Sequence, residues 1–261
     1  MSCKNCKSSK LKKVINIGKQ PISSHFYINK KINLRNYSLD LYECQYCKLI
    51  QLKDIAKLKD MYGLNYGYRT SLSPLMISHM KGKVKKILIQ NFLKKKDNVL
   101  DIGSNDGTFL NFLSKDSNLK LHGIDPSAKK FQKYYNPKIN LIIDYFNKKK
   151  ITGKINKNIK FSLITSFAMF YDIEDPNKFC REINYFLEKD GKWILELSYF
   201  PLLLENLTYD QICHEHITYY TLSTFKKIAN KNNIKILDFN LNNINGGSIE
   251  IICAKANSKF T

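Results

Sequence analysis

Hydrophobic positions along this chain change their period several times, and each change marks an element. In "KVINIGKQPISSHFYIN" and "LDLYECQYCKLIQL", short apolar stretches broken by polar positions read as short strands. From residue 71 to 96 the step lengthens. Leu72, Leu75, Met76, Met80, Val84, Ile87, Leu88 and Phe92 recur every three or four residues, which predicts a helix with one apolar face. Residues 99–102 form a buried strand, residues 103–107 a glycine turn, and Phe109, Leu110 and Leu113 one face of the helix that follows. The rhythm repeats with strands at "LKLHGIDPS", "INLIID", "FSLITSF" and "KWILELS" and a helix at "DPNKFCREINYFLEKDG". After a helix at "STFKKIANKNN", the strands "IKILDFNL" and "SIEIICAK" are joined by "NNINGG", a hairpin-like turn. Such alternation predicts an α/β fold with a mostly parallel sheet and one antiparallel strand at its end.

At 261 residues the chain can bury one sizeable α/β core and a small accessory module. The change of pattern places residues 1–70 in the module and residues 71–261 in the core. No run of 18 apolar residues occurs, so no membrane span is expected. "MSCKNCKSSKLKK" has basic residues but no apolar segment behind them, which excludes a secretory signal and points to a soluble, cytoplasmic protein. The net charge of +21 raises the question of nucleic acid. Arginine, however, is confined to Arg35, Arg69 and Arg181, and lysine is spread along the whole chain. Sequence-specific readers rely on arginine forks, so the lysines read as a solvated surface, some of them attracting an anionic small molecule. A basic nucleic-acid-binding zinc protein stays as the alternative from a different class.

Four of the seven cysteines form two C-x-x-C pairs, Cys3–Cys6 and Cys44–Cys47. Two such knuckles bring four thiolates to one tetrahedral point, and with all four positions taken by sulfur the zinc is structural. His25 is a spare ligand candidate, more naturally a surface or core histidine. Between module and core, "YGLNYGYRTSLSP" is either a plain connector or a lid over a polar ligand.

The stretch "NVLDIGSNDGTFLNFLSK" carries the cofactor argument. Gly103 and Gly107 let the backbone of the turn approach a ligand, with Asn105 between them. Asp101 stands on the strand before the turn, and Asp125, 24 positions on and followed by Pro126, stands where an acid holds ribose hydroxyls. The dinucleotide fingerprint G-x-G-x-x-G is absent, and "GSNDG" suits S-adenosylmethionine, whose methionine portion carries no pyrophosphate. The order of elements matches a class I methyltransferase core, Rossmann-like, with the hairpin completing it.

With these motifs in hand, "LDIGSNDGTFL", "GIDPS", "MFYDIEDP", "YDQICHEHITYY" and "NINGGS", behind a two-knuckle zinc module, resemble the sugar C-methyltransferase family. Its members methylate C3 of nucleotide-linked 4-keto-6-deoxy sugars. The resemblance covers essentially the whole chain and implies that Asp101, Gly103 and Asp125 contact S-adenosylmethionine and that the four cysteines bind zinc. It places His214, Glu215 and His216 at the reaction centre, reached from the zinc side by Tyr66 or Tyr68, and "NGGS" at the border of the acceptor pocket. Two departures follow. Relatives usually carry a further C-terminal domain that holds the sugar nucleotide, which this sequence lacks, and "FYD" around Tyr171 stands where some members place a histidine.

The pattern "CHEH" offers no three convergent metal ligands, unlike H-E-x-x-H on a helix. Core packing is the competing reading, given Ile212, Ile217, Tyr219 and Tyr220 around it. Catalysis explains the cluster better: a carbon acceptor beside a ketone must lose a proton, and a histidine tuned by a carboxylate suits that task. His216 is the expected base, supported by Glu215, with His214 or a tyrosine hydroxyl stabilising the enolate oxygen. The same base could deprotonate a hydroxyl, giving O-methyl transfer to a smaller phosphorylated acceptor in surface-glycan modification. Tyr171 and Asp172, after the fourth core strand, are either site-lining or loop-packing residues. The expected partner is a nucleotide-linked or phosphorylated small molecule, with a partner subunit or a second copy of the chain as further possibilities.

Overall fold

A computed structural model describes residues 1–23, 35–62, 66–115 and 118–260. His25 lies outside them. The chain begins with an antiparallel meander, β1 (Leu11–Pro21), β2 (Asn36–Cys44) and β3 (Ile50–Leu52), and one helical turn, α1 (Leu58–Met61). The core opens with α2 (Pro74–Ile89), β4 (Asn98–Ile102), α3 (Thr108–Leu113), β5 (Lys120–Ile124) and β6 (Asn140–Ile142). It continues through α4 (Lys148–Lys154), β7 (Phe161–Phe167), α5 (Pro176–Phe186), β8 (Leu187–Ser198) and α6 (Phe200–Glu205). Then come β9 (Thr218–Tyr219), α7 (Leu222–Lys231), β10 (Ile234–Asn242) and β11 (Ser248–Lys255).

Among the described residues the core sheet has seven strands in the order β10-β11-β8-β7-β4-β5-β6. β4 to β8 are parallel, and β11 is inserted antiparallel between β8 and β10. The mostly parallel sheet with a terminal antiparallel strand therefore matches the expectation. Its strands are apolar without alternation because both faces are covered. Val99, Leu163, Ile194 and Ile252 pack with Met80, Val84 and Leu113 of α2 and α3. Their strand neighbours Leu100, Ile164, Trp193 and Ile251 pack on the other face with Ile183 of α5 and Phe225 of α7.

The α2 helix is shorter than its apolar repeat. It starts at Pro74 because Ser73 caps it, accepting from the Met76 N–H, while residues 70–72 form a tight 3-10 turn. It stops at Ile89 as Asn91 turns left-handed (φ 48°), and Phe92 and Leu93 reach the core from the loop beyond. Leu72 and Leu75 are exposed.

A second sheet, β1-β2-β3-β9, takes its last strand from the core half of the chain: Ile50 pairs with Tyr219 and Gln51 with Thr218. Module and core are thus stitched together by the two residues that follow "CHEHI". Among the described residues, no helix is long and apolar enough to cross a membrane.

Candidate active site

The two cysteine knuckles are built alike. Lys7 N–H donates to the Cys3 carbonyl and Lys48 N–H to the Cys44 carbonyl, each from a left-handed residue (φ 63° and 69°). This curls each C-x-x-C so that both sulfurs face the same side. The four Sγ atoms lie within 4.8 Å of one another, with Cys3–Cys47 and Cys6–Cys44 each at 3.5 Å. Tetrahedral zinc with Zn–S near 2.3 Å would need sulfurs about 3.8 Å apart, so the donor set fits a structural zinc.

The glycine turn and the two aspartates meet at a cavity of ≈ 630 Å³ lined by Asp101, Gly103, Asn105, Asp125 and Pro126. Gly103 is left-handed (φ 74°), and a Cβ there would press on Met169 at 3.1 Å. Gly107 does not line the cavity. It is left-handed (φ 76°) at the entry to α3, where a Cβ would lie 2.7 Å from the Tyr135 ring. Tyr135 in turn donates its hydroxyl to the Asn105 carbonyl at 2.8 Å, so Gly107 shapes the turn indirectly. Asp125 is buried and holds the turn: its Oδ2 accepts from Asn105 N–H (2.9 Å), its Oδ1 from the N–H and hydroxyl of Ser127 (2.6 Å each). Asp101 is buried deeper. Burial pushes its carboxyl up to about 7, the Thr165 hydroxyl at 2.7 Å pulls it down, and the Asp125 charge adds to the rise. Two carboxyls short of counter-charge beside a ligand-sized cavity suit a cationic cofactor with hydroxyls to bind.

The stretch left open as connector or lid is pinned across this turn. Thr70 N–H donates to Asn105 Oδ1 (2.9 Å), and Asn105 Nδ2 donates to the Tyr68 carbonyl (3.3 Å). Ser71 N–H and Arg69 Nε both donate to Asp106 Oδ2, at 3.0 and 3.2 Å, and the Arg69 guanidinium stacks 3.8 Å over Tyr134. Tyr66 and Tyr68 consequently line the cavity.

The segment 213–216 lies behind that wall. None of His214, Glu215 and His216 lines the cavity. His214 is buried with both ring nitrogens engaged: Nδ1 accepts from Ser23 N–H (3.2 Å), and Nε2 faces the Tyr37 carbonyl (3.3 Å). It fastens the segment to the zinc module. Glu215 Oε2 accepts from the Ser23 hydroxyl at 3.4 Å, and its charge reaches Tyr62, Tyr66 and Asp172. His216 Nδ1 lies 2.9 Å from the Gln211 carbonyl, which can only accept, so Nδ1 carries the proton and Nε2 the lone pair. Its ring packs on Tyr171 at 4.2 Å, one residue from the cavity-lining Asp172. Burial lowers its pKa to about 4, against the pull of the Gln211 bond.

Sequence reasoning passed over two wall residues, Tyr62 and Glu196, and left Asp172 open between lining the site and packing its loop. Tyr62 donates its hydroxyl to Asp172 Oδ2 at 2.7 Å, and both line the cavity. Glu196, in the middle of apolar β8, lines it too and is gripped by His79 and Lys83 (2.7 Å each) and Asn242 (2.8 Å). Burial would raise its pKa, but His79 and Lys83 hold it down at about 2. The available signal was weak: a Glu inside a core strand, and His79 and Lys83 four apart on one helix face.

A parallel sheet of this order, with an acid on its first strand, an acid after its second and a glycine turn between, is the class I S-adenosylmethionine-dependent methyltransferase fold. The family described as "Methyltransferase domain" matches residues 76–238, and the chain belongs to it, with S-adenosylmethionine as its cofactor. A second family, described as "Putative zinc binding domain", matches residues 3–62 and covers the four cysteines. The chain is similar to C-methyltransferase NovU of Streptomyces niveus, 24% identical over 220 residues, which is 84% of this chain and 52% of that protein. It therefore spans about half the length of that relative. A shorter match, 34% over 92 residues, links 33% of the chain to 32% of the ribosomal RNA small subunit methyltransferase A of Phytoplasma australiense. Among solved structures, the plantazolicin methyltransferase BpumL in complex with a triazolic desmethylPZN analog and SAH superposes with a TM-score of 0.55 and 15% identity. That superposition covers 71% of this chain and 87% of that one, and it speaks for the fold.

Proposed function

We propose that this chain transfers the S-adenosylmethionine methyl group to a carbon beside a carbonyl, C3 of a nucleotide-linked 4-keto-6-deoxy sugar. In this reading residues 1–70 form the zinc module and residues 71–261 the transferase core. Asp101, Gly103, Asn105, Asp125 and Pro126 hold the cofactor, Tyr66 and Tyr68 close over it, and Cys3, Cys6, Cys44 and Cys47 hold zinc. The observation that carries the reading is His216, a half-buried, neutral imidazole with Nδ1 tied to a carbonyl and the lone pair left on Nε2. The likeness to a C-methyltransferase along 84% of the chain supports carbon as the acceptor.

The chemistry is an in-line displacement at the sulfonium methyl. His216 Nε2 takes the acceptor's α-proton, and the C–H electrons become the enolate that attacks the methyl carbon. Glu215 supports the segment through the Ser23 hydroxyl, and the Asp210 charge favours the imidazolium that results. His214, with both nitrogens engaged, positions the segment, and the enolate oxygen falls to a group on the cavity wall. His216 stands one residue behind that wall, so the acceptor has to pass Tyr62, Tyr66 and Asp172 to reach it.

The test incubates the protein with the keto sugar nucleotide in deuterated water, first without and then with S-adenosylmethionine, and follows both by mass spectrometry. Exchange at C3 without cofactor, methylation with it, and loss of both in His216→Ala with cofactor affinity retained are the expected results. Methylation without exchange assigns a hydroxyl acceptor instead. Unchanged exchange in His216→Ala removes His216 as the base.

A further inference from the structure

Asp172 ends the 3-10 turn, Phe170–Asp172, that follows β7. The turn is rigid for two reasons. Phe170 is fully buried against Trp193, Phe179, Tyr220 and Phe225, and the Thr218 hydroxyl of β9 donates to the Tyr171 carbonyl at 3.1 Å. Asp172 is thereby held at the cavity wall. Its two carboxyl oxygens differ. Oδ2 accepts the Tyr62 hydroxyl at 2.7 Å, while Oδ1 is buried and has no hydrogen-bond partner among the described residues. An ionised oxygen left buried and unpaired is costly, and the cost disappears if that oxygen carries a proton and meets an acceptor.

His216, across the Tyr171 ring, is kept neutral by burial, and the other titratable groups that act on Asp172 among the described residues carry no positive charge. They are the phenols of Tyr62, Tyr66, Tyr171, Tyr219 and Tyr220, the Cys213 thiol and the Glu215 carboxyl. Burial, with the Glu215 charge adding to it, holds the Asp172 carboxyl well above the ordinary carboxylate range, and the Tyr62 bond only partly opposes this. The Tyr62 bond also decides where the proton sits. With Oδ2 accepting, the hydrogen belongs on Oδ1.

We infer that Asp172 is a neutral carboxylic acid whose Oδ1–H, covered in the ligand-free chain, is reached as the acceptor passes Tyr62 and Tyr66, donates to its carbonyl oxygen and stabilises the enolate formed there. The inference rests on the carbonyl-bearing acceptor proposed above and adds its electrophilic partner. As His216 removes the α-proton, the C–H pair forms the C=C bond and the carbonyl π pair moves to oxygen, where the Oδ1–H bond meets the developing charge. When the enolate carbon attacks the methyl group, the C=O bond reforms, the S–CH₃ bond breaks towards sulfur, and the hydrogen stays on Asp172. His216 then releases its proton to solvent. The balance is one C–H replaced by C–CH₃, one sulfonium reduced in charge to a thioether, and one proton released. Pairing a base with a carboxyl kept neutral in an apolar site divides acid and base roles between two groups at one pH.

The test uses the full chain and has two readouts. The first is ¹³C NMR of aspartate carboxyl carbons across pH, in wild type and in Asp172→Asn. A carboxyl carbon still protonated at pH 7 in wild type and missing from the variant is expected, with its midpoint rising further in Tyr62→Phe. The second is the C3 exchange rate on the keto sugar nucleotide, with S-adenosylmethionine binding by calorimetry as the fold control. Asp172→Ala is expected to slow exchange about 10²-fold or more, as for loss of an oxyanion donor, and Asp172→Asn to recover part of it through its amide N–H. An Asp172 carbon ionised at pH 7, or an Asp172→Ala exchange rate within twofold of wild type, overturns the inference. A wild type that neither exchanges nor methylates the keto sugar overturns the acceptor assignment and the donor role with it. The carbon signal then still reports whether Asp172 is neutral, so the two failures are told apart.

Discussion

The site's acids and base carry opposite pH signatures. Asp101 has its pKa raised to about 7 from an ordinary value of 3.8, so the folded state holds that proton more tightly than the unfolded chain. Its contribution to stability is complete below about pH 4 and is lost as pH rises through about 7, on the order of 4 kcal/mol in all. His216 runs the other way. With its pKa lowered from 6.5 to about 4, the unfolded chain binds the proton first, and stability drains as pH falls through that window. Asp101→Asn keeps an acceptor for the Thr165 hydroxyl and removes the charge. It is expected to raise the melting temperature of the cofactor-free protein by roughly 5 °C at pH 8 and by much less at pH 5. On the proposed role of Asp101 beside a cationic cofactor, affinity for S-adenosylmethionine is expected to fall at least ~10-fold, about 1.4 kcal/mol. Thermal scans at both pH values and calorimetry read the two effects. A variant that binds the cofactor as tightly as wild type would take Asp101 out of the site.

At the scale of elements, residues 68–71 are pinned across the glycine turn, the position a lid would take. Arg69 bonds the buried Asp106 and covers Tyr134, yet Asp106 also accepts from Ser71 and Thr108, so losing Arg69 leaves that carboxylate partly satisfied. Arg69→Ala is expected to weaken cofactor binding by ~3- to 10-fold with a stability loss of about 1–2 kcal/mol, measured by calorimetry and urea titration. Unchanged affinity would make the stretch a connector. Its sequence, rich in phenols and hydroxyls, left both roles open because hydrogen bonds to residues 35 and 37 positions away leave no local pattern. Strands were far more legible. "FSLITSF" is β7 residue for residue, since a strand buried on both faces is a plain apolar run. The α2 helix was over-read at both ends, because Phe92 and Leu72 continue its period from segments that no longer follow its backbone. β9 was not legible at all. Two residues have no period, and only their partners in β3, some 170 positions earlier, make them a strand.

Taken whole, the molecule hangs the segment 213–216 on the zinc module and the glycine turn 103–107 on the core. Three of the links between module and core, among the described residues, bear on the knuckle and on that segment. Asn5, inside the first knuckle, receives both hydrogen bonds of the Asn177 amide, and Asn232 of the α7 end donates to Asn177 in turn. β9 completes the module's sheet, and His214 is bonded to Ser23 and Tyr37 of the module. The asparagine link docks the knuckle on the core, together with the Lys227 Nζ bond to the Cys47 carbonyl, while the other two run directly to the residues around His216. Because binding energy at a four-thiolate zinc site is folding energy, about 10–16 kcal/mol for zinc-finger peptides, removing the metal releases the module first. Residues 101–115 and 118–126 have support of their own in β4, β5 and α3. Chelation, or Cys44→Ser, is therefore expected to abolish turnover by ~10²-fold or more while leaving the affinity for S-adenosylmethionine within about threefold. Metal content, calorimetry and the exchange assay on one preparation measure the split. Equal loss of both would mean that the module supports the cofactor loop as well, through the lid that joins them. Survival of turnover without metal would mean that β9 and His214 hold the reaction segment with no help from the knuckles.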